Sequence, residues 1–262
     1  MLKSLIVLDI LNFLDELAPF KTAEDFDNVG LLVGDINEKV HNVMVTLDLT
    51  KEVLKEAKEK KTDLIITHHP IIFNPLKKIL KDDLVFDILQ SKISVISAHT
   101  NLDKAEYGVS FFLASSLGLL DILKVDSDME FLRVGKLKEP LNSEEFILYV
   151  SAKLKSFVRA TISSKKIEKV GVVSGSGYFA LQYAIENGLD ALVTGESKHE
   201  VFLTAKYKDF CFVDASHFKT ENIFCLPICE ILNRKFGSFG VSFFPSLQKS
   251  PFCVAYESQI WN

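Results

Sequence analysis

The chain has 262 residues, enough for one large domain or two modest ones, each with its own hydrophobic core. Its net charge of -5 and sequence pI near 5.7 come without a long basic stretch or an arginine-rich arm, so composition gives no phosphate-backbone footprint. A local patch can oppose the net charge, which leaves nucleic acid open as a partner. Cys211, Cys225, Cys229 and Cys253 stand in apolar surroundings with no CxxC or zinc-knuckle spacing, which argues against a disulfide framework and for reduced thiols in a cytoplasmic protein.

Taken in chain order, Leu2 to Leu17 reads as an amphipathic helix with Asp9, Asp15 and Glu16 on its polar side, not as a signal peptide. A strand at Val43 to Leu47 precedes a helix from Lys51 to Lys60. The run Asp63 to Thr67 is a second strand, leading through Pro70 and Pro75 to a helix near Asp82 to Gln90. A third strand, Ile93 to Ser97, precedes a helix near Tyr107 to Leu117. The alternation predicts βαβ units. The apolar stretch from Val109 to Leu120 falls well short of the roughly 20 residues of a membrane span, so no membrane association is expected.

Asp121 to Asp128 is the first plausible boundary. Beyond it the pattern predicts strands at Phe131 to Gly135 and Phe146 to Val150, a helix from Ala152 to Thr161, and a strand at Val170 to Val173. A helix from Tyr178 to Asn187 and a strand at Ala191 to Val193 follow. The last part offers a strand at Cys211 to Val213, a helix beginning near Thr220, and strands around Val241 to Phe244 and Phe252 to Tyr256. Pro227 should kink or restart that helix. No internal repeat or low-complexity tract is evident.

The chemistry concentrates at strand ends. His68-His69 follows one apolar run and His99-Thr100-Asn101-Leu102-Asp103 follows another, which places both clusters at the carboxyl edge where open α/β sheets carry their sites. Imidazole and carboxylate together suit Zn, Fe, Mn or Ni. His217 and Glu221 have the i,i+4 spacing that puts both on one helix face. A lone histidine at a strand end is more often simply hydrogen bonded, and an i,i+4 His-Glu pair is common on solvated helices. The weight lies in the concurrence of His68, His69, Asp103, His217 and Glu221 at predicted element ends. Gly175-Ser176-Gly177 lacks the third glycine of a dinucleotide fingerprint and reads as a tight turn. There is no Walker sequence and no GxSxG elbow, which disfavours covalent serine catalysis.

These residues resemble the dinuclear-metal proteins known as GTP cyclohydrolase 1 type 2 homologues, or the NGG-interacting-factor-like family. The resemblance runs through Asp27-Asn28-Val29-Gly30-Leu31, Asp48 with Thr50 and Val53, Ile66-Thr67-His68-His69-Pro70 to Phe73, His99 to Asp103, and Gly175 to Gly177. It continues in Thr194-Gly195-Glu196 with His199 and in His217 with Thr220-Glu221. Glu200 and Ser216 depart from it, standing where the family often has a histidine and usually has a glycine.

The resemblance implies two α/β domains with mixed sheets and two divalent ions in the interdomain cleft. The first domain, residues 1–127, would be completed by residues 211–262, with residues 128–210 forming the second. It also implies a homohexamer and carries the metal ligands over to His68, His69, Asp103, His217 and Glu221. Glu221 is the expected bridge, since a carboxylate can give one oxygen to each ion and Glu221 has a longer reach than its rival Asp103. Glu196 and His199 are candidates for proton transfer, and Asp27 and Asn28 for substrate contact, although Asp27-Asn28 could equally turn the backbone.

Three functions remain open at this point. The first is a metal-dependent hydrolase, of GTP cyclohydrolase type, that opens the guanine imidazole ring with metal-activated water. The second is a nucleotide or phosphoester hydrolase using the same ions on phosphate oxygens. The third is a non-enzymatic metal-binding regulatory or interaction protein.

Overall fold

The computed structural model describes residues 4–125 and 128–253. Helix α1 (Val7–Leu17) precedes strand β1 (Gly30–Val33). Strand β2 (Asn42–Thr46), helix α2 (Lys51–Glu59), strand β3 (Leu64–Thr67), helix α3 (Leu84–Ser91) and strand β4 (Ser94–Ser97) form two successive βαβ units. Helices α4 (Thr100–Lys104) and α5 (Val109–Ser116) lead to strands β5 (Leu120–Lys124) and β6 (Arg133–Leu141), helix α6 (Ser143–Leu154), and strands β7 (Arg159–Ala160) and β8 (Ile167–Val172). Helix α7 (Leu181–Glu186), strand β9 (Ala191–Thr194), helix α8 (His199–Tyr207) and strand β10 (Cys211–Asp214) follow. Helices α9 (His217–Glu221) and α10 (Cys225–Phe236) and strand β11 (Ser242–Pro245) complete the order.

The strands make two mixed sheets. The five-stranded sheet has the order β1-β4-β3-β2-β11, with β1 antiparallel and the others parallel. The six-stranded sheet has the order β5-β6-β8-β9-β10-β7, parallel across β8, β9 and β10 and antiparallel elsewhere. Apolar runs without alternation suit strands covered on both faces. Val43, Val45, Leu64, Ile66 and Ile96 pack under α1 and α10, while their neighbours Met44, Ile65 and Val95 pack under α2 and α3. In the other sheet Val170, Val172, Val193 and Val213 face α5 and α6, whereas Leu192 and Phe212 face α7 and α8. Helix α5 joins the two cores, with Val109 in the first and Leu113 and Ala114 in the second.

Several expectations need correction. Phe146 to Val150 is not a strand but the middle of α6. A capping box starts that helix, with the Asn142 side chain accepting from the Glu145 amide at 2.9 Å and Glu145 accepting from the Asn142 amide at 2.9 Å. Phe146, Val150 and Leu154 then recur every four residues on its buried face. The helix ends at Lys155, which takes a left-handed conformation, so the expected helix to Thr161 gives way to β7. The expected boundary at 121–128 overlaps β5, and residues 126–127 lie outside the described residues.

The segment from 211 onward is divided between the sheets. Strand β10 pairs with β9 and β7, whereas Phe218 of α9, Phe224 and α10 pack into the core of the five-stranded sheet and β11 pairs with β2. Pro227 sits in the first turn of α10, where a proline costs no helical hydrogen bond. No element is formed at Phe252 and Cys253, and the remainder of the strand expected there lies outside the described residues. No helix among the described residues is long and apolar enough to cross a membrane.

Candidate metal centre

The site is built at strand ends. Strands β3 and β4 run parallel with Thr67 opposite Ser97, so His68-His69 and His99 leave the sheet side by side. The ladder continues past the strands, the His68 and His69 amides donating to the Thr46 and Leu47 carbonyls at 3.1 Å each. From the other sheet, β10 ends at Asp214. The chain then turns at Ser216, held at φ +74°, into α9, which carries His217 and Glu221.

Four imidazoles are oriented in the same way. His68 Nδ1 lies 2.8 Å from the Ala98 carbonyl, His69 Nδ1 2.7 Å from Asp48, His99 Nδ1 3.0 Å from Asp27, and His217 Nδ1 2.9 Å from Glu196. A carbonyl or an ionised carboxylate only accepts, so Nδ1 carries the proton in each ring and a neutral ring keeps its lone pair on Nε2. This is the carboxylate- or carbonyl-backed arrangement that orients metal-ligating histidines.

The Nε2 atoms and two carboxylates converge. Glu221 Oε2 stands 3.0 Å from His69 Nε2 and 2.8 Å from His217 Nε2, yet off the hydrogen-bond axis of either. His68 Nε2 is 4.0 Å from Glu221 Oε1 and 3.6 Å from Asp103 Oδ1. It is buried without a hydrogen-bond partner. An orphaned lone pair facing two buried carboxylates is costly in the absence of a cation and ordinary in its presence.

The His69 and His217 Nε2 atoms are 3.4 Å apart. Two nitrogens each about 2.0–2.1 Å from a shared tetrahedral ion stand roughly 3.3–3.4 Å apart, so the donors fit a metal. Two candidate clusters result, His68 with His69 and His99, and His69 with His217 and Glu221, and they match a cofactor of two metal ions.

The electrostatics agree. Burial pushes the His68 imidazole down to about 3, against the opposing field of Glu221, which keeps it a neutral donor. For His69 burial also acts downward, but Asp48 and Glu221 outweigh it and raise the ring to about 10. In His217 burial is likewise outweighed by Glu221 and Glu196, and the ring rises to about 9. Burial and the Glu221 charge lift Asp103 to about 7. Burial would lift Glu221 too, but His217 and His69 hold it well below the usual carboxylate range.

Close packing brings Glu221 into place. Gly175 adopts φ +59°, and a Cβ there would overlap Glu221 Oε1 and come within 3.4 Å of His217 Cε1. The Gly175 amide donates to Thr220 Oγ1 at 3.1 Å, and the Gly195 amide to the Gly175 carbonyl at 2.8 Å. The two glycine turns thus form the seat of α9.

The other expected residues are placed differently. The Asp27 side chain is fully shielded, accepting from His99 and from the amide and hydroxyl of Thr100. These bonds hold its carboxyl low against the opposing effect of burial. Asn28 donates to the Ile72 carbonyl and so ties down the segment after His69. Glu196 is exposed apart from its bond to His217. His199 is exposed at the start of α8 and makes no hydrogen bond to the cluster among the described residues.

No local pattern in the residues marks His99 as a ligand or gives Asp48 a role. The only signal for His99 is its place at the end of β4 beside a candidate ligand. The pairing of Asp48 with His69, 21 residues away, has no local signature.

Comparison with known proteins agrees with this geometry. A family model described as Duf34/NIF3 (NGG1p interacting factor 3) matches residues 5–251. The chain is 35% identical to the GTP cyclohydrolase 1 type 2 homolog of Clostridium acetobutylicum, over 83% of this chain and 86% of that protein. It is 32% identical to the GTP cyclohydrolase 1 type 2 of Helicobacter pylori, over 87% and 92%. Among solved structures, Staphylococcus aureus protein SA1388 superposes with a TM-score of 0.88 at 28% identity, covering 97% of this chain and 100% of that one. Reduced HcgD from Methanocaldococcus jannaschii gives 0.78 at 26% identity, covering 94% and 99%. On the match over nearly its whole length, the chain belongs to the Duf34/NIF3 family.

Proposed function

We propose that this chain is a dinuclear-metal-dependent hydrolase, with GTP cyclohydrolase-like opening of the guanine imidazole ring as its leading reaction. The observation that carries the reading is the convergence of the His68, His69 and His217 Nε2 atoms on Glu221, each ring backed at Nδ1 by an oxygen, with His68 Nε2 orphaned. The name of the Helicobacter pylori relative supports the choice of reaction.

In this reading His68 and Asp103 would hold one ion, His69 and His217 the other, and Glu221 would be shared between them, in the cleft between two domains, each built on one sheet. His99, grouped with His68 and His69, would offer a further donor. The donor set suits Zn, Fe, Mn or Ni. Two such ions supply Lewis acidity, lowering the pKa of water and stabilising developing negative charge.

The chain's own residues do the rest. Asp27, Asp48 and Glu196 fix the orientation of His99, His69 and His217, so the donors are set before substrate arrives. Glu196 would take the proton through Oε1, its Oε2 being bonded to His217. His199, which forms no hydrogen bond to the cluster among the described residues, is assigned no step. Asp27 acts through His99 instead of touching substrate. We include a cytoplasmic homohexamer in the proposal.

The test is protein reconstituted with each of the four metals and incubated with GTP, the products being identified by mass. The expected product is the ring-opened formamide, or formate once a second water hydrolyses it. Phosphate without either would assign a phosphoester hydrolase instead, and two bound ions with no turnover of a nucleotide panel would overturn the hydrolase reading. A native mass equal to a single chain would remove the hexamer.

A further inference from the structure

A cavity of about 550 Å³ lies beside the metal cluster and shares His217 and Glu196 with it. Three cationic side chains from separate elements line it: Lys155 at the end of α6, Arg159 on β7 and Lys219 on α9. Two acids line it as well. Asp214 is buried against the Arg159 guanidinium at 2.5 Å, and Glu196 accepts from His217. Lys155 and Lys219 form no ion pair among the described residues, whereas Lys104 reaches Glu24 at 2.8 Å and Lys60 reaches Glu56 at 2.7 Å. Arg159 uses one nitrogen on Asp214 and the Ser197 carbonyl and retains further donors. The wall beyond the cations is apolar, with Phe157 and Phe252 largely exposed.

A chain of net charge -5 that gathers three cations against two acids around one hollow, one acid paired with Arg159 and the other bonded through one oxygen to His217, presents a local positive field there. Uncompensated ammonium groups and a partly free guanidinium are the donors that recognise phosphate oxygens. We propose that this cavity binds the anionic, phosphate-class end of the substrate whose reacting atoms lie at the metal cluster. The inference rests on the hydrolase reading and adds a subsite that uses none of the metal ions.

The test is calorimetric titration of inorganic pyrophosphate into metal-free protein held in chelator, so that the ions contribute nothing. The unmodified protein should bind it, with affinity falling as salt rises. The double variant Lys155→Gln/Lys219→Gln should lose at least tenfold in affinity while taking up two ions per chain as before. Lys153→Gln, on the same helix but with its Nζ over the Tyr149 ring at 5.3 Å, should bind like the parent. Binding seen only after metal is restored, or equal affinity in the double variant, overturns the subsite and leaves the metal reading intact. Pyrophosphate binding that is lost in the double variant, in a protein that takes up no metal, supports the subsite and overturns the hydrolase reading.

Discussion

Glu221→Gln removes one negative charge and one acceptor oxygen from the point where both donor sets meet. Glu221 Oε2 lies 2.8 and 3.0 Å from two imidazole nitrogens, and Oε1 faces His68 at 4.0 Å. The carboxylate is 5% exposed, so solvent does little to replace its charge. Loss of an outer partner that only orients a ligand costs about 10–100-fold in metal affinity, or roughly 1.4–2.7 kcal/mol. Glu196→Gln belongs to that class, since Glu196 reaches the cluster only through His217 Nδ1. Glu221 serves both sets directly, so its loss should exceed about 100-fold and leave fewer than two ions per chain. The amide is nearly the same size as the carboxylate, and the fold should persist. Elemental analysis of the two variants after equilibration in a metal buffer, with circular dichroism as the fold check, decides it. Two ions retained in Glu221→Gln at the parent affinity would refute the bridge.

The pH dependence has a defined sign. His69 and His217 are raised in the folded, metal-free chain to about 10 and about 9, so their stabilisation is complete below their unfolded value near 6.5 and is lost as pH rises through 9 and 10. Thermal melts of the metal-free protein should fall across that window, and metal binding at pH 7 should release roughly two protons per chain from these rings; melts that rise with pH would refute the assignment. Ser216→Gly should stabilise the chain by about 1 kcal/mol, because serine is held at φ +74°, and a lower melting temperature would contradict this. Gly175→Ala should cut metal affinity at least about tenfold, since a methyl there displaces Glu221, and unchanged uptake would show that the carboxylate can move aside. Arg133 is fully buried and donates to the carbonyls of Glu130, Leu132, Lys104 and Ala105. Arg133→Met should therefore cost roughly 3 kcal/mol or more in denaturant unfolding, at about 1–3 kcal/mol per stranded buried acceptor, and a loss below about 1 kcal/mol would refute that role.

The βαβ rhythm from β2 to β4 and the place of His68-His69 at the end of β3 were legible in the residues alone, because short apolar runs bounded by polar clusters are local signals, whereas Asp103 lies within the short helix beyond the end of β4. Also legible was the facing of His217 and Glu221, which follows from helical spacing alone. Phe146 to Val150 was illegible as helix when judged by hydrophobicity, since five apolar residues fit a buried strand equally well. The deciding signal was Asn142 three residues before Glu145. Which nitrogen each histidine offers is settled by packing instead. Asp48 lies 21 residues from His69 and Asp27 lies 72 from His99, so the bonds that place the Nδ1 protons exist only after the loops have docked. The same holds for Glu221, whose seat is a glycine turn from another part of the six-stranded sheet's connections. A side chain's identity sets what it can ligate, but its tautomer, ionisation and aim are set by neighbours distant in sequence, and those come from packing.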